Sequence, residues 1–194
     1  TAEGEWLVEG NDSGLLVGSA PPNLRQFAYN GASTCPPVYV NDTAVYVQAR
    51  GGAVRDVRSS LQDGPSSSEL SLTASHLVDE NTIVQMAFQQ VTHAIIWMVR
   101  DDGVLLYLSY QRETGIVGWA RHVTDGTFES IVSVPEGAEM AVYAVVNRTI
   151  DGGTVRYIER LALRTGAIAT LACSDASLTA TQPFQTITLS NGTY

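Results

Sequence analysis

Lysine is absent from this sequence: all 11 basic residues are arginine, set against 20 acidic ones, for a net charge of −9. A chain this acidic repels a phosphate backbone, which argues against sequence-independent gripping of nucleic acid. Arginine without lysine suits planar ion pairs at interfaces, and genomic G+C bias produces the same pattern. Cysteine is nearly absent too. Cys35 and Cys173 stand 138 positions apart, which matches no metal spacing and is too sparse for a disulfide framework, so two buried thiols are expected. No run of 18 apolar residues occurs, so no membrane span is expected. The opening residues, TAEGEWLVEG, hold neither a positive n-region nor an apolar h-region, and no signal peptide is expected from them. The missing initiator Met fits a processed product and an excised piece equally well.

Helical periodicity is scarce as well. What the chain does have is 44% hydrophobic and 16% charged residues over 194 positions, a composition that packs, with about 70% of the unfolded surface buried at this size. Short runs rich in Val, Ile, Thr and Tyr alternate with Gly, Asp and Asn turns, the pattern of β-strands. Strands are expected at 5–8, 38–40, 44–49, 54–58, 83–88, 94–99, 104–110, 116–122, 130–134, 141–146, 154–161 and 186–189. One short helix is expected in SSSELSLTASHL, capped by a Ser near position 68 with Glu69 in its first turn, where the helix dipole favours an acid. QDGPSSS, 62–68, reads as a flexible connection.

Three segments repeat: AVYVQARGGAVRDVR, IIWMVRDDGVLLYLS and AVYAVVNRTIDGGTVRYIER. Tyr46, Trp97 and Tyr143 fall at one place in the first strand of each, 51 and 46 positions apart; Val54, Leu105 and Val155 open the second, 51 and 50 apart. The Gly and Asp residues between them supply the positive φ of a tight hairpin. An all-strand repeat near 50 residues predicts an all-β fold of antiparallel, propeller-like blades, each too thin to bury both faces alone and so stacked on its neighbours. The units run approximately 35–90, 91–135 and 136–194, in a single all-β domain or part of a larger propeller; a β-sandwich is the alternative. In the middle copy IVGWARHVTDG and then TFESIVSVP would supply the outer strands, and Trp97 and Trp119 would be packing contacts.

Catalytic and metal signatures are missing: there is no GxSxG, HExxH, P-loop or CxxC. His76, His93 and His122 lie on separate segments without ligand spacing. Asp101 and Asp102 precede Gly103, which reads as turn chemistry, since a calcium loop needs further oxygen donors. Asp125 and Glu129 have a spacing a glycosidase pair would use if the strands converged. N-x-S/T triplets at Asn11, Asn41, Asn147 and Asn191 read as chance in a Ser- and Thr-rich β-protein. Alternation sends Arg156, Ile158 and Arg160 to one face and Tyr157 and Glu159 to the other, in either a charge-protected edge strand or an intersubunit salt-bridge strip. No catalytic, cofactor or metal residues are assigned.

Several of these elements resemble the nozzle proteins of short-tailed bacteriophages, the tail tubular protein B family. The similarity runs through Trp97, Val99, Arg100, Asp102, Gly103 and Leu105, then Leu108, Ser109 and Tyr110. It continues with Trp119, Arg121 and His122, then Thr124, Asp125 and Gly126, and ends on RYIERL, 156–161. It covers about 69–161, is weaker over 35–61 and thin after 163; Thr92 replaces a usual proline, and family members are longer, so the chain resembles a compact relative or a fragment.

The resemblance implies a structural virion component of the phage tail and no enzyme. It implies propeller-like domains in a hexameric ring that conducts DNA during ejection, bound to an adaptor ring and tail fibres, with DNA only in transit. Without the resemblance, two rivals stand: a β-rich module that binds a host glycan or receptor, and a glycoside hydrolase using Asp125 or Glu129.

Overall fold

The computed structural model describes residues 3–10, 16–18, 21–60, 64–91, 93–162, 175, 188–189 and 192–193. These residues form an all-β protein. An N-terminal hairpin of β1 (Glu5–Glu9) and β2 (Asn23–Ala28) precedes a four-stranded sheet of β3 (Val38–Val40), β4 (Thr43–Val47), β5 (Val54–Ser60) and β6 (Gly64–Glu69). A second four-stranded sheet holds β7 (Ile83–Gln89), β8 (Ile95–Arg100), β9 (Leu105–Gln111) and β10 (Ile116–His122). The third has three described strands, β11 (Thr127–Glu136), β12 (Glu139–Ile150) and β13 (Gly153–Arg160), and a short pair, β14 (Thr188–Leu189) and β15 (Gly192–Thr193), follows. Each of the three large sheets is an antiparallel meander with its strands in sequence order.

Side-chain alternation decides how the sheets stack. In the second sheet, Ile96, Met98, Leu106, Leu108 and Tyr110 point to one side and join Val45, Val47 and Val54 of the first sheet in one core. Trp97, Val99 and Leu105 point to the other side and meet Ile131 and Val142 of the third sheet in a second core. The middle sheet is therefore buried on both faces, which explains why β8, IIWMVR, is almost uniformly apolar where a half-buried strand would alternate. The sheets come closest through their first strands: β7 lies against β3 on one side and β11 on the other.

The repeated hairpins form β4–β5, β8–β9 and β12–β13, and Tyr46, Trp97 and Tyr143 each lie on the second strand of their sheet. Val54 and Leu105 open β5 and β9, but β13 opens two residues before Val155. There Asp151 and Gly152 adopt φ of 49° and 77° and close a two-residue turn of the kind that matches strand twist.

The sheets are out of phase with the sequence repeat. IVGWARH forms the outer strand β10, as the repeat predicts, but TFESIVSVP belongs to β11 and opens the next sheet; likewise Ile83–Gln89 opens the second sheet and does not close the first. One local expectation fails and a second holds only in part. GPSSSE is the edge strand β6, paired in register with β5, and its Pro65 is tolerated because an edge strand has a free side. The helix is a 3₁₀ segment, Leu72–Leu77, that starts after Ser71, has no acid in its first turn and departs from helical geometry at Ala74. Glu69 remains in the strand, where it pairs with Arg55 at 3.5 Å. Strand β2 was not signalled by the sequence pattern. No helix among the described residues is long and apolar enough to cross a membrane.

Candidate functional site

The chemistry of the molecule is concentrated where the sheets meet. Between the first and second sheets, Asp56 on β5 is 3% exposed. Its carboxylate accepts hydrogen bonds from the Tyr110 hydroxyl and from Arg112 Nη1, both at 2.7 Å, and from the Ser68 backbone N–H at 2.8 Å. A buried carboxylate persists only when its lone pairs are met in this way. Burial first, and then the adjoining Asp56, push the Tyr110 hydroxyl up to about 12, so it stays a donor. Two further bonds join these sheets through the 3₁₀ region: Trp119 Nε1 donates to Leu70 O at 2.9 Å and Arg100 Nη1 to Leu77 O at 2.8 Å.

Between the second and third sheets, two glutamines on one face of β7 act as backbone substitutes. Gln85 Nε2 donates to Ile131 O at 2.9 Å while its Oε1 accepts from Ile131 N–H at 3.1 Å, so one side-chain amide pairs with a strand as another strand would. Gln89 Nε2 donates to Met140 O at 2.7 Å, and its Oε1 accepts from Trp97 Nε1 at 3.1 Å. Trp97, Tyr107 and His122 stack around one another with ring centroids 5.3 to 5.6 Å apart, the tilted arrangement aromatic quadrupoles favour. The sequence pattern did not single out Asp56, Gln85 or Gln89. The only signal was a polar residue at the same strand parity as neighbouring core residues.

The candidate residues named from the sequence all make contacts within the fold. Asp102 binds Arg100, accepts from Val104 N–H at 3.2 Å, and is held below the usual carboxylate range chiefly by Arg100. Asp101 accepts from Thr82 N–H at 3.1 Å. Gly103, at φ +82°, passes so close to β11 that an added Cβ would lie 2.5 Å from Thr127 Cβ. Glu129 accepts from Arg156 Nε at 2.7 Å and Asn147 Nδ2 at 3.1 Å, and Arg156 holds its carboxyl down. Asp125 takes part through its backbone: its N–H donates to Asp175 at 3.1 Å and its carbonyl accepts from Arg148 at 2.8 Å.

Arg148 also clasps Glu159 through two bonds of 2.6 and 2.9 Å and reaches Asp175 at 3.0 Å. On the opposite face of β13, Arg156 pairs with Glu129 and Arg160 with Glu136 and Glu139, so alternation divides this strand as its sequence predicts. His76, His93 and His122 are not brought together at a metal site, and among the described residues no group of three His, Cys, Asp or Glu side chains is placed to hold a metal. Cys35 is a buried free thiol; Cys173, Asn11 and Asn191 lie outside the described residues.

A cavity of about 230 Å³ opens at the end of the first interface. The β3–β4 turn contributes Asn41, Asp42 and Thr43, the end of β7 Phe88 and Gln90, and the end of β9 with the turn after it Tyr110 and Glu113. Asn41, in the left-handed region at φ 55°, donates from Nδ2 to Glu113 Oε1 at 3.5 Å, from one sheet to the next. No protein-family profile matches the chain, and no curated protein matches it.

Proposed function

We propose that the chain is a structural component of a bacteriophage tail, of the nozzle or tail-tube kind. In this reading its stacked meanders are propeller-like blades in a ring-shaped conduit for DNA ejection, located in the virion. The observation that carries the proposal is the double-faced burial of the middle sheet, with Trp97 at 5% exposure inside one interface and the Trp119 indole N–H bonded across the other. These aromatics join sheets, as a scaffold requires. The adjacency of β3, β7 and β11 supports blades whose inner strands gather toward an axis. The sequence resemblance supports a six-membered ring that attaches to a tail adaptor and to tail fibres. The net charge of −9 supports a lumen that releases DNA in transit and does not hold it.

Solution mass measurement with negative-stain imaging tests this. Closed rings with a central channel are expected, and a chain that stays strictly monomeric at every concentration, alone and with tail partners, would overturn the assembly.

A further inference from the structure

We propose that the cavity between the first two sheets is a binding subsite for a single neutral sugar residue, a function beyond the scaffold role and independent of it. Its size sets the first limit. At about 230 Å³ it falls below the roughly 300–1,000 Å³ of sites for drug-sized ligands, leaving room for one ring and not for a chain of rings.

Its lining sets the chemistry. Asp42 and Glu113 offer carboxylate acceptors, while Asn41 and Gln90 offer amides that both donate and accept. Phe88 and Tyr110 form part of the wall and give the cavity its aromatic character, with the Tyr110 hydroxyl already engaged by Asp56. Polar groups beside an aromatic wall complement a polyol, whose hydroxyls both donate and accept and whose C–H face is apolar.

Other ligands fit less well. Arg112, the cation in the lining, is already bound to Asp56 at 2.7 Å, and Arg58 lies 3.9 Å from Asp42. The three carboxylates Asp42, Asp56 and Glu113 thus outnumber the two guanidiniums, and the mouth disfavours anions. An apolar ligand would strip water from both carboxylates without replacing their bonds. A metal ion would need more ligands than the described residues bring together.

The test is a titration of the whole ¹⁵N-labelled chain, followed by amide NMR, with glucose, galactose and N-acetylglucosamine. Glucuronate and inorganic phosphate serve as charged probes. At least one neutral sugar should give saturable shifts at the amides of Asn41, Gln90 and Glu113. Gln90→Ala and Glu113→Ala should each weaken that binding about tenfold or more while the thermal midpoint stays where it was. Glu113 lies in the short 3₁₀ segment Arg112–Thr114, outside the strands, so its variant remains informative if Gln90→Ala unfolds. Three results would overturn the proposal: no saturable shift at these amides from any neutral sugar, equal or tighter binding of the charged probes, or binding that survives both substitutions. None of these bears on ring assembly, so the scaffold reading stands or falls separately.

Discussion

Trp97 shows how one side chain serves two purposes at the residue scale. Its ring fills the second core beside Val99, Leu105, Ile131 and Val142, and its N–H satisfies Gln89, which also holds the third sheet. Trp97→Ala should therefore cost about 3–5 kcal/mol in denaturant unfolding, and a loss under about 1 kcal/mol, below the range for buried aromatics, would place the ring outside the core. Asp56 is the polar counterpart. Asp56→Ala would leave Arg112, Tyr110 and the Ser68 N–H without their shared acceptor, an expected loss of about 3–5 kcal/mol, as when one partner of a buried pair is removed. Urea titration checks it, and Asp56→Asn should recover part of the loss because an amide oxygen still accepts.

Elements were legible in the sequence to different degrees. The hairpins stood out because strand alternation and Asp-Gly turns are local signals: β3 and β10 match the expected ranges 38–40 and 116–122. Sheet membership is harder, since period-two alternation says that a strand forms and not which sheet it joins. The expected strand 83–88 falls in the first repeat unit and TFESIVSVP in the middle one, whereas each opens the next sheet. β6 was illegible because Ser and Pro have little strand propensity; its pairing comes from β5 and from Asp56, which captures the Ser68 N–H. The glutamine clasp was illegible for a similar reason, because Gln85 acquires its meaning only when Ile131, 46 positions away, lies opposite it. Gly103 gives an element-scale prediction. Gly51, in an equivalent turn at φ +81°, has open space around it, while Gly103 at φ +82° faces Thr127. Gly51→Ala should cost about 1 kcal/mol or somewhat more from backbone strain alone, and Gly103→Ala clearly more, measured side by side by thermal unfolding.

For the whole molecule, pH should act from both ends. On the acid side, burial alone would raise Asp175, but Thr124, the Asp125 N–H and Arg148 outweigh it and hold the carboxyl below 3.8; Asp102 is likewise lowered, chiefly by Arg100. Groups lowered on folding contribute stability that is full above their unfolded values and disappears as pH falls through the folded ones. On the alkaline side Tyr110 is raised from 10.0 to about 12, so its contribution is intact below pH 10 and lost as pH rises toward about 12. Buried Cys35, raised from 9.0 to about 11, begins the alkaline loss earlier. Melting midpoints followed by circular dichroism should hold a plateau between the acid and alkaline limbs. Tyr110→Phe should flatten the upper part of the alkaline limb, an unchanged upper limb meaning that another group controls it.

Cys35 extends this to a practical consequence. Its side chain is buried in the first core and burial pushes its thiol up to about 11, so it forms little thiolate at neutral pH and meets no reagent while the surrounding sheet is closed. Alkylation of Cys35 in a Cys173→Ser background should therefore act as a clock, its rate counting how often the first sheet opens.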